Sequence, residues 1–345
     1  MELKKIIFYY PDMYVGGVEM AILNLAKRIY KDYDLYFFYR SISDLDLARE
    51  FNKYGIMRNI ANLKPNDECD ILVYCSLWTE ADDQCSEIQA KRKFLWTHAI
   101  IPPGGNKFYH LPTMRKIDEI IVVSEATKDS IPMKIYCGRF DNKIHVINNI
   151  LNTQEIKEKS MLPPPDLKLA QDLNICTVAR LSHEKGWLRI RYLCQELQKL
   201  NIDFKWFIVG EGYTREHLHR IHLMLDNIPQ IQFVGKLLNP FPVVKQMDYL
   251  ALLSDYESWG LAITEGKILN VPILVTDFPA AFEQVSDDYN GIIIPKKEYQ
   301  YYKDIVQRIV KNKSKYKENL KDFDYEKINE MSIKHWKEIF DGKEN

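Results

Sequence analysis

Apolar residues along this chain gather in short unbroken runs, and between those runs they return every three or four positions. Lys4 to Tyr10 is an Ile-, Phe- and Tyr-rich run closed by Pro11, the pattern of a strand buried on both faces of a parallel sheet. Gly16 and Gly17 follow. From Val18 the apolar positions Ala21, Ile22, Leu25 and Ile29 form the stripe of a helix that lays one face on that sheet. Strand-like runs recur at 35–39, 71–75, 94–97, 120–123 and 144–147, several followed by helical patterns. Between Leu151 and Leu173 the pattern dissolves into Lys, Glu and Gln and then Pro163, Pro164 and Pro165, which marks a linker. Alternation restarts at 175–179, 205–209, 231–234, 249–254, 272–276 and 291–294. Two doubly wound parallel sheets are predicted, followed by a helical stretch from Tyr299 to Asn345 with Trp336 and Phe340 on one helix face.

Composition narrows the function classes. The 345 residues, 46% of them apolar, suffice for two cores. With 47 basic against 48 acidic residues the net charge is −1, which argues against a nucleic-acid binder that neutralises many phosphates. No apolar run approaches the ~20 residues that span a bilayer, and residues 1–11 lack the form of a signal peptide, so a cytoplasmic protein is expected. Lys91-Arg92-Lys93 and the late lysines offer a peripheral contact with an anionic membrane face, against a default of solvated surface. The six cysteines fall at irregular spacings, so buried reduced thiols are expected rather than a zinc site or disulfides. His217, His219 and His222 share one helical pattern without a third ligand on one face, and Asp44-Leu-Asp46 and Asp322-Phe-Asp324 follow no clear buried strand; no metal site is expected. Glycine numbers only 14, yet Gly16, Gly17, Gly210, Gly212, Gly235 and Gly260 all stand at strand exits. Ligands of open α/β sheets bind at the carboxyl ends of strands, where helix N-termini offer free amides to anions.

Three stretches carry candidate chemistry. Ser254-Asp-Tyr-Glu-Ser-Trp-Gly-Leu-Ala-Ile-Thr-Glu265 leaves a strand, turns at Gly260 and enters a helix. Glu257 falls in the loop; Glu265, nearly two turns into the helix, is suited to accept hydrogen bonds from a neutral diol. The amides of Gly260 and Leu261 between them suit a phosphate. A capping carboxylate and a solvated helix Glu are the plainer reading. In Ala179-Arg-Leu-Ser-His-Glu-Lys-Gly186, Arg180 and Lys185 can converge on one diphosphate, against an alternative of surface salt bridges. Phe207-Ile-Val-Gly-Glu-Gly212 is a strand-to-helix corner around Gly210, weak alone because it lacks a complete Gly-x-Gly-x-x-Gly.

Together with Gly16-Gly17-Val-Glu, Val123-Ser-Glu-Ala, Asn148-Asn149 and Phe233-Val-Gly235, these elements occur in the order and spacing of the family 4 glycosyltransferases, which the chain resembles from about residue 5 to about 295. The resemblance implies a GT-B fold: an N-terminal Rossmann-like acceptor domain, 1–160, faces a C-terminal donor domain, 161–324, across a cleft. The tail, 325–345, packs back on the first domain. It further implies retaining transfer of a hexose-type sugar from a nucleotide-diphosphate sugar, with a UDP-sugar favoured, to a glycan or lipid-linked acceptor in bacterial surface polysaccharide synthesis. No permanently bound cofactor is expected. In this reading Arg180 and Lys185 bind the diphosphate, Glu265 the ribose hydroxyls and Glu257 the transferred sugar. The Gly16-Gly17 loop closes on the donor or acceptor, and His98 touches the donor sugar. The chain departs from the family at Thr276-Asp-Phe-Pro-Ala-Ala, where relatives carry a Gly-Gly loop, and at Gly266, where they carry alanine. A sugar-nucleotide epimerase or hydrolase on the same plan, and a noncatalytic glycan-binding partner, are the alternatives.

Overall fold

The structure, a computed structural model, describes residues 3–13, 16–63, 67–75, 88–100, 114–131, 140, 142–212 and 215–343. It divides into two compact units: Met1–Leu151 with Glu326–Asn345, and Asn152–Tyr325.

The first unit is built on β1 (Lys5–Tyr9), β3 (Asp34–Tyr39), β5 (Ile56–Asn59), β6 (Glu68–Tyr74), β7 (Gln89–Thr97), β8 (Glu119–Val122) and β9 (Ile144–Val146), with β2 (Asp12–Met13) and β4 (Ser41–Ile42) forming a separate parallel pair. The seven strands lie in the order β5-β3-β1-β6-β7-β8-β9. Ile6, Ile7, Leu72, Val73 and Phe94 are fully buried, as strands covered on both faces require. The edge strand β5 was not foreseen, because its Ile-Met-Arg-Asn sequence is half polar and only partly covered. The helix Glu326–Asp341 belongs to this unit. Its Trp336 packs edge-on against Trp96 at 4.7 Å and its Phe340 reaches Phe94 at 6.4 Å. Asn329 clamps the backbone of Leu151, accepting from its N–H at 3.1 Å and donating to its carbonyl at 2.8 Å.

The second unit carries β10 (Leu173–Val178), β11 (Phe204–Val209), β12 (Ile231–Gly235), β13 (Tyr249–Leu252), β14 (Ile273–Thr276) and β15 (Gly291–Ile294), all parallel, in the order β12-β11-β10-β13-β14-β15. The direction of winding reverses between β10 and β13, and the crevice outside their carboxyl ends is where such sheets bind ligands.

The unit boundary falls ahead of the prolines, at 151/152, rather than at 160/161 as read from the sequence, and the second at 325/326 rather than 324/325. The reason is a helix, Thr153–Lys159, that packs on the helices Leu261–Ile268 and Phe241–Val244 of the second unit. Asn152 caps it, accepting from the Glu155 N–H at 3.1 Å and donating from its side-chain amide to the Glu155 carboxylate at 2.9 Å. Other motifs resolve into plain structural roles. Asp44 caps the helix Leu45–Phe51, accepting from the Leu47 N–H at 2.8 Å. Ser124 caps the helix Glu125–Asp129, accepting from the Thr127 N–H at 3.0 Å. Cys69, Cys75, Cys176 and Cys194 are buried and free, their thiols pushed up by burial; Cys85 and Cys137 lie outside the described residues.

Candidate active site

Arg180, Lys185 and Glu257 lie on the loops that leave β10 and β13 at the switch point, whereas Gly210 and Gly235 stand at the ends of β11 and β12. The loop after β10 carries Arg180 and then a single 3-10 turn, His183–Lys185, ended by Gly186 in the left-handed region at φ 73°. A side chain at Gly186 is excluded twice, since its Cβ would also stand 1.9 Å from the Leu253 carbonyl oxygen at the β13 exit. Gly210 holds the corresponding place after β11, where a Cβ would lie 1.9 Å from the Ala179 carbonyl oxygen. The two glycines let neighbouring strand exits close on each other, and an Asp255 N–H to Glu184 carbonyl bond of 2.7 Å joins the two switch-point loops.

Across this junction Lys185 Nζ donates to Glu257 Oε1 at 2.6 Å, and Ser254 Oγ donates to the same oxygen at 2.6 Å. The pair is largely withdrawn from solvent, with 12% and 16% of the side chains exposed. The sequence reading assigned these residues to separate roles and did not anticipate their pairing. A lysine ammonium has three donors, so two N–H groups of Lys185 stay available while the third fixes Glu257. Arg180 is exposed on the same loop; against the opposing effect of burial, the Ser182 hydroxyl and a backbone N–H hold the Glu184 carboxyl below its ordinary value, with smaller contributions from the charges of Lys185 and Arg180.

Gly260, at φ 81°, turns the chain into the helix Leu261–Ile268, whose first amides carry no side-chain cap. Glu265 lies little more than one turn inside that helix, closer to its start than the sequence suggested. Its carboxyl makes no hydrogen bond or ion pair among the described residues, and burial pushes it up to about 7. That is a carboxylate lacking donors. The helix is seated by Gly266, where a Cβ would meet Ile273 Cδ1 at 2.8 Å, so the glycine here is a packing requirement. The loop itself is held from below: Trp259 Nε1 donates to Thr264 Oγ1 at 3.1 Å, Thr264 to Gln284 Oε1 at 2.7 Å, and the buried Lys267 ammonium to the Gln284 carbonyl at 2.6 Å. Burial brings Lys267 down to about 8. Where a Gly-Gly loop was absent, Phe278 is instead fully buried and anchors the turn after β14. Gly235 ends β12, and its carbonyl accepts the Gly210 N–H at 2.9 Å.

Sequence reasoning missed Arg189. Its guanidinium donates to the Leu253 carbonyl at 2.9 Å and the Asp255 carboxylate beyond β13, and to the Lys296 carbonyl at 3.2 Å beyond β15, tying two strand exits to its own helix. The available signal was an arginine between Trp187 and Ile190 on the covered face of a helix.

In the first unit, Gly16 precedes and Gly17 begins the helix Gly17–Ile29, with Gly16 in ordinary extended backbone. His98 follows β7, its ring 4.5 Å from that of Trp96. Its Nε2 and the Trp96 Nε1 are buried without partners among the described residues. Burial brings the imidazole down to about 3, so it is neutral at physiological pH and suited to a hydrogen bond rather than to carrying charge.

Among the described residues no three His, Cys, Asp or Glu side chains are placed to hold a metal. The His217 side chain lies outside them, and His222 stacks on Phe233 at 3.9 Å. No helix of the described residues is long and apolar enough to cross a membrane.

Residues 164–327 match the family of group 1 glycosyl transferases. The chain is 27% identical over 247 residues to an uncharacterized glycosyltransferase of Methanocaldococcus jannaschii, covering 66% of this chain and 59% of that protein. It is 22% identical over 222 residues to the capsular polysaccharide biosynthesis glycosyltransferase CapM of Staphylococcus aureus, covering 61% and 58%. The matches thus span less than two thirds of either relative. Anabaena HepE, solved in complex with UDP and glucose, superposes with a TM-score of 0.75 at 15% identity over 97% of this chain and 99% of its own. The fold is GT-B, and the comparisons support a glycosyltransferase.

Proposed function

We propose that this chain is a retaining, metal-independent glycosyltransferase of the family 4 type. It moves a hexose-type sugar from a UDP-sugar to a hydroxyl of a glycan or lipid-linked acceptor, in the synthesis of a bacterial surface polysaccharide at the cytoplasmic face of the membrane. The carrying observation is the Lys185–Glu257 pair at the switch point, flanked by Arg180 and by an uncapped helix start. That HepE was solved with UDP and glucose, and that CapM is named for capsular polysaccharide biosynthesis, supports the donor and the pathway class.

The chemistry follows from the charges. Breaking the bond between the sugar C1 and the diphosphate oxygen leaves an oxocarbenium-like sugar and an anionic nucleotide, so preorganised positive potential at the departing oxygen is the main demand. Arg180 meets it with a planar fork, Lys185 with its two remaining N–H groups, and the amides of Gly260 and Leu261 with a helix N-terminus. Glu265 accepts the ribose hydroxyls, which supply the donors its carboxylate lacks. Glu257, held by Lys185 and Ser254, faces the transferred sugar. The new C1–oxygen bond forms on the face from which the phosphate leaves, and the acceptor proton passes to that phosphate oxygen, so no enzymic nucleophile is needed. Gly16-Gly17 and neutral His98 add contacts to donor or acceptor.

A thermal-shift panel of UDP, GDP, ADP, CDP and dTDP tests the reading first, because a bound nucleotide stabilises by mass action. Selective stabilisation by UDP is expected, and transfer from the matching UDP-sugar should give a product of unchanged anomeric configuration by NMR. No stabilisation by any nucleotide refutes the assignment.

A further inference from the structure

At the opposite end of the first unit's sheet lies a cavity of about 1270 Å³ that the transfer chemistry does not use. Its walls are the amino-terminal starts of five strands: Lys5 of β1, Asp34 and Tyr36 of β3, Ile56 of β5, Glu68 and Asp70 of β6, and Gln89 of β7. His98 and Gly16, by contrast, follow strands β7 and β2. The volume exceeds the ~300–1,000 Å³ of sites for drug-sized ligands, which gives room for a chain of rings rather than one. Depth comes from Gly55, where a Cβ would stand 2.4 Å from the Leu35 carbonyl oxygen, so the start of β5 sits flush against β3.

The lining has the chemistry of a sugar site. Tyr30 and Tyr54 meet edge to face at 5.3 Å, with Tyr30 37% exposed, and present a ledge to the apolar C–H face of a pyranose. Tyr36 is a third ring, with the Lys5 ammonium 4.7 Å from its centroid. Between the rings stand groups that accept and groups that donate. The exposed Glu68 carboxylate and Gln89 carboxamide make no side-chain hydrogen bond among the described residues. Four lysines, at 4, 5, 91 and 93, alternate with carboxylates at 34, 68 and 70, and Lys91 is paired to Asp70 at 2.7 Å. A polyanion would be set against those carboxylates. A ligand rich in hydroxyls, each both donor and acceptor, satisfies both sets.

We propose that this groove binds an uncharged glycan chain, at a site separate from the one that transfers sugar. The proposal stands on the groove itself and not on the transferase reading.

The test is saturation-transfer NMR and calorimetry on the full chain with maltohexaose, cellohexaose and chitohexaose, in the presence of saturating UDP. A heparin hexasaccharide serves as the polyanion. At least one neutral hexasaccharide should bind. Its affinity should fall at least tenfold in Tyr30→Ala/Tyr54→Ala and in Gln89→Ala, and should survive in Tyr54→Phe. Gln89 is exposed, so Gln89→Ala remains decisive even where loss of both tyrosines disturbs folding. Binding of none of the three, binding of heparin alone, displacement by UDP, or unchanged affinity in the variants overturns the proposal. UDP is titrated separately into the same proteins, so failure of the donor-site reading shows as absent UDP binding with glycan binding intact.

Discussion

Replacing Glu265 with glutamine should make the ligand-free protein more stable and the nucleotide complex weaker. Burial raises the carboxyl from 4.5 to about 7. Between those pH values the folded chain keeps a proton that the unfolded chain has lost. Stability therefore falls as pH rises through the window and levels off above it. At ~1.4 kcal/mol per pH unit the gap corresponds to an upper bound between about 3 and 4 kcal/mol. Glu265→Gln is nearly isosteric and removes the titration. Its advantage over the parent protein should be absent near pH 4, grow through pH 5 to 7, and reach about 1 to 3 kcal/mol at pH 8. In the proposed site a UDP ribose donates hydrogen bonds to the ionised carboxylate, so UDP affinity of the parent should rise with pH across the same window. The glutamine variant should bind at least tenfold more weakly at pH 8 with a flat profile. Urea unfolding and UDP calorimetry at pH 5, 6, 7 and 8 measure both. A variant less stable than the parent at pH 8, or parallel pH profiles, refutes the reasoning.

Lys185→Ala should lower turnover about a hundredfold or more, as loss of one preorganised donor does, with much less effect on acceptor binding. It should also cost about 1 to 3 kcal/mol by leaving Glu257 unpaired, and Lys185→Ala/Glu257→Ala should recover part of that in urea unfolding. Gly186→Ala combines a left-handed backbone with a 1.9 Å approach to Leu253 and should destabilise by about 2 kcal/mol or more, seen as a lowered unfolding midpoint. EDTA should leave turnover unchanged; loss restored by a divalent cation would contradict the proposed charge neutralisation by side chains.

Much of the fold was legible because parallel strands buried on both faces write themselves as unbroken apolar runs. Phe204–Val209 and Gly291–Ile294 emerge almost to the residue. Strand β5, the pair β2 and β4, and the helix Thr153–Lys159 were hidden because short, half-exposed elements need no such run. Strand-exit glycines pointed to the carboxyl edges of the sheets, and at Gly210 the structure gives a reason, since a carbonyl occupies the place of a Cβ there, as it does at Gly186. Pairing was the illegible part. Nothing in the spacing of Lys185 and Glu257, 72 positions apart, announces a 2.6 Å contact, and Arg189 looks like an ordinary helix residue until the two strand exits it joins are assembled. Glu265 was placed correctly in a helix, but its lack of partners depends on what surrounds it.

The central claim is that Arg180 and Lys185 together hold a nucleoside diphosphate. Calorimetric titration of UDP into the parent protein and into Arg180→Ala/Lys185→Ala, with folding checked by circular dichroism, tests it most directly. The account predicts one UDP site in the parent and at least a hundredfold weaker binding in the folded double variant. Equal affinity in the two proteins would contradict it.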